Sequence, residues 1–196
     1  AKARILQFQD SQGVVALGRD DPGAGALRRL VHGLVFSFGL SPLPDGQLGS
    51  FVDQRGICLR LQTNREAVPV LALDQISLRG EHNLLNVMAA CTIIGAAGLP
   101  LDAIRKGVQG FGGVPHRLEF VRSWGGADWY NDSIATAPER AMADIRSFDE
   151  PLVLLAGGRD KDLPWEEFAD LVRRRVDHLV VFGEAAPKIL AALQAD

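Results

Sequence analysis

The sequence predicts an α/β fold in two parts, the second of which carries a parallel sheet. Short β-favouring runs separated by turn residues occupy most of the first half of the chain. From residue 127 onwards, strands and helices alternate regularly, which is typical of parallel strands joined by helical crossovers. The segment 112–136 joins the two patterns and is rich in Arg, His, Asp, Ser and Thr, so we expect it to carry function rather than to act as a passive linker.

The first half predicts five strands and three helices. Residues 1–9 favour a helix, residues 81–98 a long helix with a broad apolar face, and residues 101–109 a shorter helix ended by glycines. Gly56 predicts a hairpin turn at residues 54–56, because glycine readily adopts positive φ. The predicted strands cover residues 14–17, 34–38, 49–53, 57–61 and 68–73.

The second half predicts three strands that alternate with three helices. Strands connected in this way lie parallel, and ligands bind beyond their carboxyl ends. Asp132, residues 157–161 and residues 183–184 each follow a predicted strand, so we expect them at one edge of one sheet. The strands cover residues 127–131, 152–156 and 178–182, and the helices cover residues 138–147, 165–175 and 185–193.

Composition excludes several classes of protein. With 196 residues, of which 47% are apolar, the chain can bury a core without disulfides. Its 21 basic and 24 acidic side chains form no long run of either sign, which disfavours nucleic acid or an anionic membrane as a partner. No apolar stretch reaches the roughly 18 residues that a membrane span needs. Cys58 and Cys91 are isolated and the histidines are scattered, so the sequence predicts no metal site and fits a reducing cytoplasm.

Two asparagines stand at the start of the helix predicted over residues 81–98. Asn83 and Asn86 are three residues apart, so both amides can face the same way and bind a planar base or a ribose. The alternative is structural, because Asn and His at helix starts commonly cap free backbone N–H groups.

The segment between the two halves offers groups that bind anions. Arg117, next to His116, can bind phosphate or carboxylate in a bidentate manner, although an exposed surface arginine is the simpler interpretation. Asp132, Ser133 and Thr136 lie between a predicted strand and a predicted helix, where hydroxyl and N–H groups at a helix N-terminus receive anions. Ser133 or Thr136 as an ordinary N-cap is the alternative.

A glycine pair follows the apolar strand predicted over residues 152–156. Gly157 and Gly158 allow the backbone to approach a ligand closely, and Lys161 then supplies a positive charge. Most loops of this kind are only turns, so a turn without function is the alternative.

Four motifs occur in a fixed order. They are Gly-Glu-His-Asn-Leu-Leu-Asn at residues 80–86, Pro-His-Arg-Leu-Glu at 115–119, Asn-Asp-Ser-x-Ala-Thr at 131–136 and Leu-Leu-Ala-Gly-Gly-x-Asp-Lys at 154–161. Together they resemble the Mur ligases, ATP-dependent enzymes that form amide bonds in peptidoglycan synthesis. The form of the third motif resembles the member that adds D-glutamate to UDP-N-acetylmuramoyl-L-alanine.

The resemblance implies a division of the chain. Mur ligases have an N-terminal domain for the UDP-sugar, a central ATPase domain and a C-terminal Rossmann-like domain for the amino acid. Residues 1–113 would be the C-terminal part of the central ATP-binding domain, and residues 114–196 a truncated C-terminal domain. The implied fold class is therefore α/β, with a partial ATPase-type domain followed by a Rossmann-like parallel-sheet domain.

The resemblance also implies substrates and roles. ATP and Mg²⁺ would convert the carboxylate of UDP-N-acetylmuramoyl-L-alanine to an acyl phosphate, which the amino group of D-glutamate attacks. The residues expected to contact ATP are Asn83, Asn86, His116, Arg117 and Asp132, and those expected to contact D-glutamate are Ser133, Thr136 and Lys161. No catalytic residue is assigned within the chain, and we expect a cytoplasmic monomer.

The chain departs from the family pattern in three respects, one of which is that the family's C-terminal Ser and Phe contacts to D-glutamate are expected to lie beyond Asp196. Ile134 stands where the third motif of the family has lysine, which removes one positive charge from the site. The Gly-Lys-Thr/Ser phosphate-binding loop does not occur in the sequence, and we expect most ligands of Mg²⁺ to lie outside it. The isolated chain should therefore not turn over ATP. A folylpolyglutamate synthase, another Mur ligase or a nucleotide-binding module without catalysis remain alternatives.

Overall fold

The computed structural model describes residues 2–195. It divides the chain into two compact units, Ala1–Gly112 and Gly113–Asp196, which are described separately below. None of the helices within residues 2–195 combines the length and the apolar character that crossing a membrane requires.

The first unit is a five-stranded sheet with helices. Its sheet has the order β1-β2-β3-β4-β5, with β1, β2 and β3 parallel and the last two pairs antiparallel. Its elements are β1 (Val14–Gly18), α1 (Pro22–Leu27), β2 (Leu34–Gly39), β3 (Leu48–Asp53), β4 (Gly56–Arg60), β5 (Val68–Leu71), α2 (Glu81–Ala96) and α3 (Leu101–Gln109), with 3₁₀ helices at Lys2–Phe8, Arg28–Leu30 and Leu73–Gln75.

The predicted strands of the first half are confirmed, and so is the hairpin between β3 and β4. Gly56 has φ +105°, and a Cβ there would lie 2.2 Å from the Leu71 carbonyl oxygen, so only glycine fits this position. The helix expected over residues 1–9 is a 3₁₀ helix at Lys2–Phe8, and Ala1 lies outside the described residues. The short helix α1 was not predicted. Asp21 caps it by accepting a hydrogen bond from the Ala24 N–H at 2.8 Å.

Helix α2 packs closely on the sheet of the first unit. A Cβ at Gly95 would lie 2.5 Å from Leu59 Cδ2, which shows how near the helix approaches the sheet. The buried Ser50 hydroxyl bonds the Met88 carbonyl oxygen at 3.0 Å and the Thr92 hydroxyl at 2.7 Å, so the polar groups in this contact are satisfied. The core cluster comprises Ile57, Leu59, Val70, Leu71, Val87, Met88, Cys91 and Ile104.

The second unit contains two separate two-stranded sheets and three helices. Strands β8 and β9 are parallel, with Val153 opposite His178 and Gly157 opposite Phe182. Its elements are β6 (Glu119–Trp124), β7 (Ala127–Asn131), α4 (Pro138–Ile145), β8 (Val153–Gly157), α5 (Glu166–Arg175), β9 (His178–Phe182) and α6 (Ala186–Gln194).

One face of β8 and β9 carries the core of the second unit. Leu154 and Ala156 of β8, with Leu179 and Val181 of β9, pack against a buried cluster from the three helices. The strand and helix alternation predicted from residue 138 onwards is therefore confirmed. The buried cluster comprises Met142, Ile145, Phe168, Leu171, Val172, Ala185 and Ile189.

The placement predicted for residues 127–131 is wrong. These residues form β7, but β7 pairs antiparallel with β6 and does not join β8 and β9. Gly125 and Gly126 have φ values of +64° and +80°, which close a two-residue hairpin between the strands. Such a turn matches the twist of paired strands, so local pairing with β6 takes the place of a helical crossover.

We expect Ile189→Ala to destabilise the second unit by about 2–5 kcal/mol, because Ile189 is fully buried and the change leaves a cavity. Leu190→Ala is the matched control on the same helix, where the side chain is 43% exposed, and it should cost less than about 1 kcal/mol. All three tryptophans lie in this unit, so tryptophan fluorescence during urea unfolding reports on it. Equal effects of the two changes would contradict the described core.

Candidate functional site

The asparagines at the start of α2 lie on one face, as predicted. The Asn86 side-chain amide donates to the Asn83 side-chain oxygen at 3.4 Å, and the Asn83 amide donates to the Arg79 carbonyl oxygen at 2.8 Å. Gly80 is the N-cap of α2, with φ +93° and no capping side chain, so the alternative in which these residues cap the helix is wrong. Asn83 is buried and Asn86 is exposed, which leaves Asn86 as the amide that solvent or a ligand can reach.

A groove in the first unit opens beside the first turn of α2. It has a volume of about 350 Å³, within the range of small-molecule sites. Gly80, Glu81 and Leu84 contribute to its wall, and these residues bracket Asn83 in the sequence. An apolar slot suits a planar ring, although Asn83 and Asn86 are not among its lining residues. Its lining comprises Leu40, Leu73, Ile76, Leu78, Gly80, Glu81 and Leu84.

In the second unit, two loops that are distant in sequence are joined by hydrogen bonds. The Leu118 N–H donates to Asp132 Oδ1 at 3.0 Å, and the Ile134 N–H donates to the His116 carbonyl oxygen at 3.2 Å. The side chains of His116 and Asn131 bond at 2.8 Å. His116 and Leu118 have positive φ values of 65° and 45°, a conformation that costs energy for residues other than glycine. These hydrogen bonds hold that conformation in place.

Charges gather where these loops meet α4. The Asp144 side chain hydrogen-bonds the Asp132 carboxyl group, and the charges of Arg117 and Arg140 act on Asp144. Burial, followed by the hydrogen bond and the charge of Asp132, raises the pKa of Asp144 to about 7, while the two arginines oppose the shift. Near neutral pH the Asp144 carboxyl group is therefore partly protonated. The structure brings together four predicted site residues here, His116, Arg117, Asp132 and Ser133.

The helix α4 is not capped by the residues that sequence analysis considered for that role. Its N-cap is Ala137, with no capping side chain, and Pro138 occupies its first turn. The Ser133 N–H donates to the Asn131 side-chain oxygen at 3.1 Å. Thr136 and Ser133 are both exposed. The N-cap alternative for the two hydroxyl residues is therefore wrong, and both hydroxyls lie on the surface.

The loops after β8 and β9 lie together, as predicted for parallel strands. The Gly158 N–H donates to the Phe182 carbonyl oxygen at 3.3 Å, and the Ala185 N–H donates to the Gly158 carbonyl oxygen at 3.0 Å. A Cβ at Gly157 would lie 2.1 Å from the Phe182 carbonyl oxygen, so glycine is required there. Because β7 belongs to another sheet, the prediction that Asp132 shares this sheet edge is wrong.

Lys161 lies in the loop after β8, between two aspartates that bind a lysine from α6. Lys188 Nζ lies 2.6 Å from Asp160 Oδ2 and 2.7 Å from Asp162 Oδ1. The hydrogen bond from Lys188 holds the pKa of Asp160 below its usual value, and the two aspartates, Asp160 first, raise the pKa of Lys188. Lys161 itself is exposed. Within residues 2–195, no group of three or more His, Cys, Asp or Glu side chains is arranged to hold a metal ion.

Five charged residues of these clusters were not predicted from the sequence. Arg140 and Asp144 stand four residues apart on α4, a spacing that places side chains on one helix face and could have indicated both. Asp160 and Asp162 flank Lys161 and could have been included with it. Lys188 lies 26 residues after Asp162, and only the rule that loops meet at the carboxyl edge of a parallel sheet could have suggested it.

We expect Asp144→Asn to change how stability depends on pH. Asp144 has a folded pKa of about 7 against 3.8 for an ordinary aspartate, so the folded state keeps a proton that the unfolded state loses. The free energy of unfolding should therefore fall as pH rises from about 4 to about 7, and the asparagine variant should lack this fall. Urea unfolding at pH 5 and pH 8 measures it, with the exposed Asp149→Asn as the control. A parallel pH dependence in wild type and Asp144→Asn would contradict the described cluster.

The chain is similar in sequence to curated ligases over nearly its whole length. It is 40% identical over 194 residues to UDP-N-acetylmuramoylalanine--D-glutamate ligase of Symbiobacterium thermophilum, a match that covers 99% of this chain and 42% of that protein. The ligase of the same name from Syntrophus aciditrophicus is 37% identical over 188 residues, covering 96% of this chain and 41% of its own length. The chain thus spans about two fifths of these relatives. No family model matches the chain.

Solved structures show the same fold. MurF from Acinetobacter baumannii matches with a TM-score of 0.74 and 23% identity, over 98% of this chain and 43% of that one. Folylpolyglutamate synthase of Mycobacterium tuberculosis matches with a TM-score of 0.60 and 21% identity, over 91% of this chain and 42% of that one. At these identities the likeness concerns the fold, a mixed α/β arrangement that agrees with the predicted fold class. By its sequence similarity to these ligases over almost every residue, this chain belongs to the Mur ligase family.

Proposed function

We propose that this chain is part of an ATP-dependent ligase that joins D-glutamate to UDP-N-acetylmuramoyl-L-alanine in peptidoglycan synthesis. The observation that carries the proposal is the 40% identity over 194 residues to a ligase of that name, a match that covers 99% of the chain and so spans the positions of all four motifs. The chain spans about two fifths of such relatives, so we infer that residues 1–113 correspond to the later part of the central ATP-binding domain. Residues 114–196 correspond to most of the domain that binds the amino acid.

Each unit, taken by itself, offers groups that suit part of a nucleotide. In the first unit, the groove beside α2 fits the adenine ring, and Asn86, supported by the buried Asn83, offers an amide to the base or the ribose. In the second unit, the Arg117 guanidinium suits phosphate oxygens. His116 and Asp132 brace the loop that carries Arg117, and Asp132 also accepts bonds that ribose hydroxyls can donate. ADP is bound in the solved MurF of Thermotoga maritima, whose fold this chain shares with a TM-score of 0.62.

D-glutamate would bind in the second unit. A dianionic amino acid needs cations and hydroxyl donors, and the exposed Lys161, Thr136 and Ser133 provide them. Neither Ser133 nor Thr136 caps α4, so both hydroxyl groups can bind a ligand. Ile134 supplies an apolar side chain where the family has lysine, so Lys161 would contribute a larger share of the positive charge.

The chemistry explains why such groups are needed. A carboxylate is a poor electrophile, and phosphorylation by ATP provides a leaving group that the D-glutamate amine displaces through a tetrahedral intermediate. ATP supplies the phosphoryl group when bound. Arg117 and Lys161 would orient the anionic groups and offset their charge. The sequence contains no Gly-Lys-Thr/Ser loop, and the described residues hold no cluster of metal ligands, so we assign Mg²⁺ to residues outside this chain.

The proposal also concerns the cellular location, the oligomeric state and the activity of the chain. We propose a cytoplasmic ligase, because its substrates are soluble nucleotides and amino acids, and we propose that it acts as a monomer. The chain by itself should not turn over ATP, because the phosphate-binding loop is missing from its sequence.

The amino-acid specificity of the full-length enzyme tests the proposal directly. With UDP-N-acetylmuramoyl-L-alanine and ATP, phosphate release should depend on D-glutamate, and neither L-glutamate nor diaminopimelate should replace it. Activity with a folate and L-glutamate would instead support a folylpolyglutamate synthase. ATP binding without any amino acid-dependent turnover in the full-length protein would support the nucleotide-binding module.

We expect Lys161→Ala and Asp132→Ala in the full-length enzyme each to lower turnover by at least about tenfold, the effect of losing one charge-assisted contact. Lys106→Ala is the control, because Lys106 is an exposed lysine on α3 of the first unit. Steady-state kinetics with all three substrates measure the effect. Wild-type kinetics in both site variants would refute the site assignment while leaving the ligase proposal in place.

A further inference from the structure

We propose that Lys188 is a positioning residue for D-glutamate binding, which acts by holding the loop that carries Lys161. The inference rests on the proposed function and deepens it, since it names a residue outside the four motifs. Lys188 need not touch the substrate. Its effect would pass through Asp160 and Asp162, the two neighbours of Lys161 in the sequence.

Around Lys161 the loop is held by side-chain hydrogen bonds and not by regular secondary structure. Residues 158–165 form neither helix nor strand. Gly158 has φ +116°, and Asp162 has φ +54°, which is unfavourable for a residue with a side chain. The Asp162 N–H donates to Asp160 Oδ1 at 2.9 Å, which makes a tight turn around Lys161. Lys188 then binds the remaining oxygen of Asp160 and one oxygen of Asp162, so one ammonium group closes the turn.

Lys188 is itself well anchored to the core. It lies in the first turn of α6, directly before Ile189, which is fully buried. Ala185, which precedes α6, is also buried, and its N–H bonds the Gly158 carbonyl oxygen at 3.0 Å. The loop after β8 is thus connected to the helix by a backbone hydrogen bond at its start and by Lys188 at its tip. The loop that carries Lys161 is therefore fixed in position relative to the packed helices.

Charge gives Lys188 a second effect on the same loop. Asp160 and Asp162 flank Lys161, and without Lys188 they would compete for its ammonium group. They would also repel the two carboxylates of D-glutamate. With Lys188 bound to both aspartates, much of their charge is offset and Lys161 is left to the substrate. The ion pairs are partly exposed, with side chains of Lys188 and Asp162 that are 46% and 96% accessible, so they should add little to folding stability.

The test is the kinetics of Lys188→Gln in the full-length enzyme. We expect its KM for D-glutamate to rise about tenfold, because a displaced Lys161 would lose one charge-assisted contact with D-glutamate, with the KM values for ATP and for UDP-N-acetylmuramoyl-L-alanine nearly unchanged. Lys188→Arg keeps the charge and should stay nearer to wild type. Arg174→Gln on α5, an exposed position of the same unit, is the control and should behave as wild type.

A double-mutant comparison separates positioning from a general loss of structure. Asp162→Asn alone should also raise the KM for D-glutamate, and adding it to Lys188→Gln should raise it by less than the product of the two single effects. A wild-type KM for D-glutamate in Lys188→Gln, or an equal rise in all three KM values, would overturn the inference. If wild-type enzyme shows no activity with D-glutamate, the proposed function fails and this inference fails with it.

Discussion

The hydrogen bond between the Leu118 N–H and the Asp132 carboxylate is the contact on which the candidate site of the second unit depends. It holds Leu118 in a positive φ conformation, and with the bond between His116 and Ile134 it joins two loops that are distant in sequence. Arg117 lies between the two bonded residues, so its backbone position follows from theirs. The same carboxylate is hydrogen-bonded to the Asp144 side chain, which links the loop to α4.

The two loops whose side chains are proposed to bind substrate are held in the same general way. In each case an ionisable residue on a helix contacts an aspartate of the loop. Asp144 of α4 reaches Asp132, whereas Lys188 of α6 reaches Asp160 and Asp162. Each helix is anchored by apolar residues, Ile145 for α4 and Ile189 for α6. Because close-packed interiors move little, side chains attached to them can set the positions of exposed loops.

Much of the fold and part of the site could be predicted from the pattern of residues. The five strands of the first unit and helices α2 to α6 were predicted because apolar spacing reports local structure directly. The joint position of the loops after β8 and β9 followed from parallel pairing. Helix α1 was missed because glycine and alanine dominate it, and only its Asp21 cap marks it. The pairing of β7 was wrong because periodicity cannot choose between two possible partners.

The local pattern of residues therefore determined most helices and strands, the four motifs and the family resemblance, since each depends on residues that are close together in the sequence. Folding in three dimensions decided which charges meet. Asp132 with Asp144, and Lys188 with Asp160, are contacts between separate elements whose distance depends on how helices pack on strands. The tertiary structure also decided that Asn83 is buried and Asn86 is exposed, because the surface on which a helix packs determines which of its side chains are covered.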